Sequence, residues 1–218
     1  MKILIIGHLG KMGVMAFEYL SSKGYDCIGC GREDDLVQLI KSTTPDVLLD
    51  LTHPEVVFEH AQLAIESQIP IVIGTSGLRS DQIEALKSQL KEASKVLIVP
   101  NFSISALLMM KFTKIASNYF DSIEIIEGHH PEKKDKPSGT ARMTAQLCDQ
   151  DVTIHSRRQP GLLAEQAVYF GLDGETLCVS QRSLHRGCFM PGILLAIEKV
   201  FQIDGLMIGL EDLLLPQH

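Results

Sequence analysis

Short apolar segments alternate with helix-like segments over the first hundred residues of the chain. The apolar segments are hydrophobic almost throughout, which is typical of strands that helices cover on both faces. The pattern predicts strands at residues 2–6, 25–30, 47–51, 69–73 and 95–99, and helices at about 11–22, 35–42, 54–67 and 80–93. This alternation predicts an α/β fold with a Rossmann-like doubly wound parallel sheet.

The pattern changes after residue 103. It predicts a long helix at about 103–119, a strand at 122–127, a helix at about 139–149, strands near 153–158, 165–171 and 176–184, and a last helix at about 192–201. Strands that cluster after helices indicate a second, smaller α+β domain. We therefore expect one domain to comprise residues 1–102 plus about 190–218, and the other to comprise residues 103–189.

The residues that follow the predicted strands of the first domain are mostly small, polar or turn-forming. They lie at 7–10, 31–32, 52–54, 74–77 and 100–103. Doubly wound sheets bind ligands at the carboxyl ends of their strands. These positions therefore predict a ligand site along one edge of the first sheet.

Composition and charge narrow the classes of function. The chain has 218 residues and a net charge of −7, which argues against nucleic acid as a partner. No apolar stretch approaches the roughly 18 residues of a membrane helix, and the first apolar segment is too short for a signal peptide. Five cysteines, an odd number, do not suggest a disulfide framework. We therefore expect a reduced, cytoplasmic protein with no membrane association.

Two short sequence patterns could suggest metal binding. Cys27 and Cys30 form a Cys-x-x-Cys sequence within a predicted strand, where residues three apart face opposite sides. The adjacent side chains of His129 and His130 diverge in a strand or loop. We predict no metal site.

A glycine-rich turn follows the first predicted strand and precedes the first predicted helix. It runs Gly-His-Leu-Gly-Lys-Met-Gly from Gly7 to Gly13. Such a turn lets phosphates approach backbone N–H groups at the positive end of the helix. The match to the dinucleotide fingerprint is imperfect, because Leu9 and Met12 stand where it has glycines. The favoured interpretation is a pyrophosphate site, and the alternative is a connecting turn that binds nothing.

The end of the second predicted strand bears on the choice of cofactor. An acidic residue there binds the ribose 2′-hydroxyl of NAD, whereas an arginine pairs with the 2′-phosphate of NADP. Arg32 comes before Glu33 in this chain, which favours NADP(H) over NAD(H). The alternatives are that Glu33 turns inward or that Arg32 is a solvated surface residue.

The segment from Glu127 to Ala141 carries the sharpest chemical signal. Two histidines and three lysines fall within eight residues of an otherwise acidic chain. A predicted helix follows, with Ser138 as its N-cap and with first-turn N–H groups that are unpaired by geometry. Cations beside a helix N-terminus suit a small carboxylate or dicarboxylate, to which each charge-assisted hydrogen bond contributes roughly 1.5–3 kcal/mol. The alternative is a solvated charged loop.

These motifs resemble those of the 4-hydroxy-tetrahydrodipicolinate reductase (dihydrodipicolinate reductase) family. The family's Gly-x-x-Gly-x-Met-Gly matches residues 7–13, and its Glu-x-His-His-x-x-Lys-x-Asp-x-Pro-Ser-Gly-Thr-Ala matches residues 127–141 without a break. Shorter family segments match residues 50–54, 74–77 and 101–103. The resemblance covers residues 1 to about 150, and the long basic motif is highly specific.

The resemblance implies a role for each motif residue. His129 is the implied proton donor and Lys133 its partner, and His130, Gly139 and Thr140 hold the substrate carboxylates. The implied nucleotide-binding residues are Gly7, His8, Leu9, Gly10, Lys11 and Met12 for the pyrophosphate, Arg32 for the adenosine ribose or its phosphate, and Gly74, Thr75, Ser76, Val99, Pro100, Asn101 and Phe102 for the nicotinamide half. The first domain would thus bind the dinucleotide, and the second would bind the substrate and form the oligomer.

The implied activity is NAD(P)H-dependent reduction of 4-hydroxy-tetrahydrodipicolinate in lysine and diaminopimelate biosynthesis, with NADPH favoured. The implied assembly is a homo-oligomer, a tetramer in the family, although a dimer is possible here. The chain is shorter than is usual in the family. Ala164, Gln166 and Gln181 replace a glycine and two histidines in strands that form much of the oligomer contact in the family. Two other functions stay open: an aspartate-type dehydrogenase, and a nucleotide-sensing binding protein with little catalytic activity.

Overall fold

Two compact units make up the described part of the chain. The computed structural model describes residues 1–214. One unit comprises Met1–Phe102 and Phe189–Leu213, and the other comprises Ser103–Cys188 and Leu214. Residues 215–218, which the sequence assigns to the first domain, lie outside the described residues.

The strands and helices follow one another in a regular order. They are β1 (Lys2–Ile6), α1 (Lys11–Ser22), β2 (Asp26–Cys30), α2 (Leu36–Thr43), β3 (Val47–Asp50), α3 (Val57–Ser67), β4 (Ile71–Ile73), α4 (Ser80–Gln89), β5 (Lys95–Ile98), α5 (Ile104–Ala116), β6 (Ser122–His129), α6 (Gly139–Gln146), β7 (Thr153–Arg158), β8 (Ala164–Leu172), β9 (Glu175–Ser183), α7 (Met190–Lys199), β10 (Gly205–Ile208) and α8 (Glu211–Leu214).

The first unit contains a six-stranded sheet in which all neighbouring strands are parallel. The strand order is β10-β5-β4-β3-β1-β2. Successive residues Ile3, Leu4 and Ile5 of β1 are all fully buried, because both faces of the sheet are covered. This confirms the predicted doubly wound parallel sheet.

The second unit contains a four-stranded mixed sheet of order β7-β6-β8-β9. β6 pairs in parallel with β7 and antiparallel with β8, and β8 pairs antiparallel with β9. Side chains of β6 and β8, including Ile125 and Phe170, form a core with Met109 and Met110 of α5 and Ala141 of α6. The predicted α+β character of this half is confirmed.

Some element boundaries differ from those that the sequence predicts. The helix predicted at 54–67 begins at Val57, because the backbone N–H groups of Val56 and Val57 both bond to the carbonyl of His53 in a turn. The helix predicted at 80–93 ends at Gln89. A tight turn follows, in which Ser94 N–H donates to Lys91 O and Ser94 Oγ accepts from Lys91 N–H.

Other differences add elements, among them β10 and α8, or lengthen them. The prediction lacked β10, a four-residue strand that pairs with β5 at the edge of the first sheet. β6 extends two residues beyond its predicted end, so that it includes His129. None of the helices described within residues 1–214 is long and apolar enough to cross a lipid bilayer.

The glycine turn of the first unit is closely packed, and this generates a stability prediction. A Cβ at Gly13 would lie 2.1 Å from the carbonyl oxygen of Gly7 and 2.7 Å from the Cα of His8, whereas a Cβ at Gly10 would lie 3.2 Å from the same oxygen. Backbone atoms cannot rotate away, so we expect Gly13→Ala to destabilise the fold by about 1–3 kcal/mol. Urea unfolding measures the difference. Gly10→Ala is the matched control, and an equal loss in both variants would contradict the packing argument.

Candidate functional site

The first unit has a cavity of ≈ 550 Å³ at the carboxyl ends of β1, β2 and β3. Its lining includes four of the expected nucleotide-binding residues, Gly7, Leu9, Gly10 and Arg32. The cavity is also lined by Ile6, Cys30, Gly31, Asp34, Leu36, Leu51, Thr52, His53, Glu55, Val56 and His60. The expected residues at the ends of β4 and β5 do not belong to this lining.

The glycine turn places the backbone of Gly7 and Gly10 at the wall of the cavity. Gly7 has a φ of +84°, and a Cβ there would lie 2.7 Å from the carbonyl oxygen of Leu51, so only glycine fits. Gly10 is the N-cap of α1 and provides no side-chain cap, so the first N–H groups of α1, including those of Lys11 and Met12, remain available to an anion. The turn therefore fits the pyrophosphate of a dinucleotide.

A positively charged and a negatively charged side chain lie at the end of β2. The ring of His8 packs against Gly29, where a Cβ would lie 2.5 Å from the ring, and its Nδ1 is buried with no partner among residues 1–214. Arg32 and Asp34 are exposed, and Asp34 Oδ2 accepts from the Gly31 N–H at 2.7 Å. An arginine and a carboxylate thus border the same part of the cavity.

A buried acid organises the ends of β3 and β4. The fully buried Asp50 accepts hydrogen bonds at Oδ1 from the Thr52 N–H (3.0 Å), the Thr52 hydroxyl (2.7 Å) and the Thr75 hydroxyl (2.5 Å). Its Oδ2 lies 2.6 Å from Nδ1 of His60. Asp50 therefore fixes Thr75, one of the expected nicotinamide-side residues, and the cavity residues Thr52 and His60.

The remaining expected nucleotide-binding residues follow β4 and β5. The buried ring of Phe102 packs on Gly74, where a Cβ would lie 2.5 Å from the ring. Val99 is buried and its N–H donates to the carbonyl of Ile73. Ser76 and Pro100 are exposed, and Asn101 is half-buried.

The second unit places His129 beside a buried carboxylate. Nδ1 of His129 lies 2.5 Å from Oε2 of Glu127, two residues earlier on the same face of β6. The other oxygen, Oε1, accepts from Nη1 of Arg158 on β7 at 2.9 Å. Glu127 is fully buried and Arg158 nearly so, and each carboxylate oxygen thus has its own partner.

Arg158 also holds the basic loop that follows β6. Its Nε donates to the carbonyl of Lys133 at 3.2 Å and its Nη2 to the carbonyl of Asp135 at 2.6 Å. The Lys133 ammonium pairs with the Asp135 carboxylate at 2.9 Å. The loop is therefore fixed by backbone and side-chain contacts.

Burial and charge shift the titration of this group of side chains. Burial lowers the pKa of His129, Glu127 acts to raise it, and Lys133 and Arg158 lower it further, so that the net pKa lies below its ordinary value. Burial acts to raise the pKa of Glu127, but hydrogen bonds from Ser156, Arg158 and His129 outweigh it, so the pKa is lowered. In this state Glu127 is ionised at neutral pH and the imidazole is mainly neutral.

The expected substrate-binding residues follow Glu127 and His129 in the sequence. His130 is half-buried and lines a cavity of ≈ 500 Å³, together with Pro131, Glu132, Gly161, Leu162, Leu163, Leu184 and Arg186. Ser138 is the N-cap of α6, and its hydroxyl accepts from the Ala141 N–H at 3.2 Å. A Cβ at Gly139 would meet nothing within 4 Å, so the start of α6 is open beside Gly139 and Thr140.

Family models match most of the described chain, from residue 23 onward. The N-terminal model of dihydrodipicolinate reductase matches residues 23–102, and the C-terminal model of the same enzyme matches residues 105–214. The chain belongs to the dihydrodipicolinate reductase family. The 4-hydroxy-tetrahydrodipicolinate reductase of Coxiella burnetii (strain RSA 493 / Nine Mile phase I) is 40% identical over 235 residues, which cover 97% of this chain and 98% of the relative. That of Legionella pneumophila subsp. pneumophila (strain Philadelphia 1) is 41% identical over 241 residues, covering 98% and 99%.

One solved structure supports the same assignment, and a more distant one shares the fold. The dipicolinate-bound dihydrodipicolinate reductase from Paenisporosarcina sp. TG-14 superposes with a TM-score of 0.87 at 32% identity, covering 98% of this chain and 99% of that one. An aspartate dehydrogenase from Thermotoga maritima gives a TM-score of 0.57 at 12% identity, covering 92% and 96%. The second likeness shows only that the two proteins share a fold.

Sequence reasoning missed several contacts in these candidate sites. The contacts of Glu127 with His129 and Arg158, and the Asp50–His60 pair, were not predicted. A signal was present for Glu127, since an acid within the apolar β6 must find partners if it is buried. The partner on β7 is 31 residues away and no local pattern indicates it.

The buried pair generates a stability prediction with a control on the same strand. Arg158→Met leaves the Glu127 carboxylate buried without its cation, and we expect a loss of about 3–5 kcal/mol in the free energy of unfolding at neutral pH. Arg157→Met removes a half-exposed arginine that is 3.4 Å from Glu165, and we expect about 1 kcal/mol or less. Urea titration of both variants measures the difference, and similar losses would contradict the pairing argument.

The pairing of Glu127 with Arg158 also predicts how the stability of Arg158→Met, relative to wild type, depends on pH. A carboxyl group whose pKa is lowered by folding stabilises the fold above its unfolded pKa, and this contribution is lost as the pH falls through the lowered value. The stability gap between wild type and Arg158→Met should therefore narrow as the pH falls from about 5 to below about 4. A gap that is constant over this range would show that Glu127 is not the group responsible.

Proposed function

We propose that this protein catalyses the reduction of 4-hydroxy-tetrahydrodipicolinate to tetrahydrodipicolinate by NAD(P)H, as the names of its relatives indicate for them. The overall change adds a hydride and a proton and releases one water. The observation that carries the proposal is the Glu127–His129 pair beside a basic loop that Arg158 holds in place. The first unit would bind the dinucleotide and the second would bind the substrate.

The cavity at the ends of β1 to β3 is the proposed nucleotide site. Backbone N–H groups of residues 7–12 would hold the pyrophosphate, with Arg32 near the adenosine ribose and residues 74–76 and 99–102 on the nicotinamide side. A reduced nicotinamide supplies the hydride when it is bound. The support comes from the close backbone packing at Gly7 and from the Asp50 network that holds Thr75.

His130, Gly139 and Thr140 are proposed to bind the two substrate carboxylates. The start of α6 offers backbone N–H groups and the positive end of a helix dipole, both of which favour anions. Lys133 adds a positive charge close by. A cyclic dicarboxylate of the size of dipicolinate, the compound bound in the Paenisporosarcina relative, matches this combination of donors.

His129 is proposed to give the proton to the substrate, with Lys133 assisting. A bound dianion raises the proton affinity of an adjacent imidazole, so the ring can take up a proton when the substrate binds. Lys133 lowers the pKa of His129 and thereby favours transfer of that proton to the substrate as negative charge develops on its carbon framework. Uptake and release at one nitrogen would supply the proton that the reaction consumes.

The cofactor is proposed to be NADPH in preference to NADH. Arg32 can pair with a 2′-phosphate, and it is exposed at the edge of the cavity. Asp34 lies on the same edge but is engaged with the Gly31 N–H.

The second sheet offers a surface for the proposed homo-oligomer. β9 is an edge strand with most of its residues exposed, and apolar side chains such as Tyr169 and Leu177 are exposed near it. An exposed edge strand of this kind supports association between copies of the chain.

The proton-donor role generates a kinetic prediction. We expect His129→Gln to lower kcat by about 10²–10⁴-fold, because the glutamine cannot supply a proton, and to leave nucleotide affinity unchanged. Steady-state kinetics that follow NADPH absorbance, with enzymatically generated substrate, measure the first effect, and calorimetric titration of NADPH measures the second. His155→Gln, an exposed histidine on β7, is the control. Full activity of His129→Gln would remove this residue from the mechanism.

The cofactor preference generates a binding prediction. We expect Arg32→Ala to weaken NADPH binding about 10-fold or more, from the loss of a charge-assisted hydrogen bond, and to weaken NADH binding much less. Calorimetry with both nucleotides measures the ratio. The control is Arg79→Ala, an exposed arginine of the same unit that pairs with Asp81. Equal weakening of both nucleotides would contradict a role in reading the 2′-phosphate.

A further inference from the structure

Glu127 contacts the proposed proton donor, His129, and is neither a proton donor nor a substrate-binding residue in the proposed function. Glu127 is fully buried, and its two oxygens face different groups: Oε2 lies 2.5 Å from Nδ1 of His129, and Oε1 lies 2.9 Å from Nη1 of Arg158. A carboxylate held in this way is fixed in orientation. It also presents its charge to one ring nitrogen only.

We propose that Glu127 is the positioning residue of the proton donor, holding His129 with a hydrogen on Nδ1 and compensating the charge of the imidazolium. The inference rests on the proposed role of His129. Its consequence is that the exchangeable proton of the ring is always the one on Nε2, which is the nitrogen left for the substrate.

The proton balance of this step is simple. Solvent gives a proton to Nε2, His129 becomes an imidazolium, and the same proton passes to the substrate carbon framework. The hydrogen on Nδ1 stays in its bond to Glu127. Glu127 itself stays ionised, because its hydrogen bonds with Ser156 and Arg158 outweigh the effect of burial on its pKa.

Two other charged groups near His129 disfavour a positive charge on its ring, and the carboxylate of Glu127 compensates for them. Lys133 in the following loop and Arg158 on β7 both act against a positive ring. On β8, the residue opposite His129 is the uncharged Ala164, and the neighbouring Glu165 already faces Arg157 and Arg182. Without Glu127, the charged groups within residues 1–214 that act on the ring would be the cations Lys133 and Arg158.

The first test removes the negative charge of the Glu127 side chain and keeps its shape. We expect Glu127→Gln to move the midpoint at which His129 loses its proton about one unit or more to lower pH, followed by NMR of the imidazole. The fall of kcat/KM with rising pH should begin correspondingly earlier. kcat at neutral pH should drop about 10–100-fold, with the NADPH Kd unchanged. An unmoved midpoint would overturn the proposal.

Two matched variants separate positioning from general structural damage. Glu124→Gln changes an exposed glutamate on the same strand that pairs with His155, and it should move neither the midpoint nor kcat. Adding Glu127→Gln to His129→Gln should reduce kcat by less than about twofold beyond His129→Gln alone, since residues that act as a unit are non-additive. Losses that multiply would show that Glu127 acts independently of His129.

A measurement on the unaltered protein covers the case in which Glu127→Gln fails to fold. The ¹⁵N shifts of His129 at high pH report which ring nitrogen carries the hydrogen. We expect the form protonated at Nδ1. The form protonated at Nε2 would overturn the proposal, even if nucleotide binding and turnover were normal and the proposed function were correct.

Discussion

A fully buried carboxylate connects the segments of the second unit that carry its proposed chemistry. Burying a charge is unfavourable unless it is paired and hydrogen-bonded, so the partners of Glu127 must come together when the sheet forms. Its partner His129 lies on β6, whereas Ser156 and Arg158 lie on β7. Arg158 also binds carbonyl groups of the basic loop. The position of the loop relative to the histidine is therefore a consequence of satisfying one acid.

The first unit is proposed to accept phosphate groups in a chain with a net charge of −7. It uses backbone donors, and these require close approach. Gly7 and Gly13 leave no room for a side chain between the turn and its neighbours, and Gly29 and Gly74 admit the rings of His8 and Phe102. Local geometry thus replaces a large basic patch, so an acidic protein can hold a polyanionic cofactor.

The sequence was informative where the signal is local. β1 was predicted with its observed limits because its five residues are followed by a glycine turn, and Ser138 was identified as a cap from its place before a helix. The short strand β10 was missed, since it becomes a strand only by pairing with β5, more than a hundred residues earlier. The pairing of Glu127 with Arg158 was missed for the same reason: the chain brings distant residues together only through the sheet.

The departures from the family pattern bear on whether the chemistry is retained. Gln166, which stands where the family usually has a histidine, is buried, and its Nε2 donates to the hydroxyl of Thr144 on α6 at 2.8 Å. Gln181 faces Ser105 at 3.5 Å. Both glutamines therefore make contacts within the second unit that position helices, while the residues from Glu127 to Ala141 are intact. A protein that kept only nucleotide sensing would have no need for a buried acid aligned on His129, so the geometry favours the enzyme over the sensor.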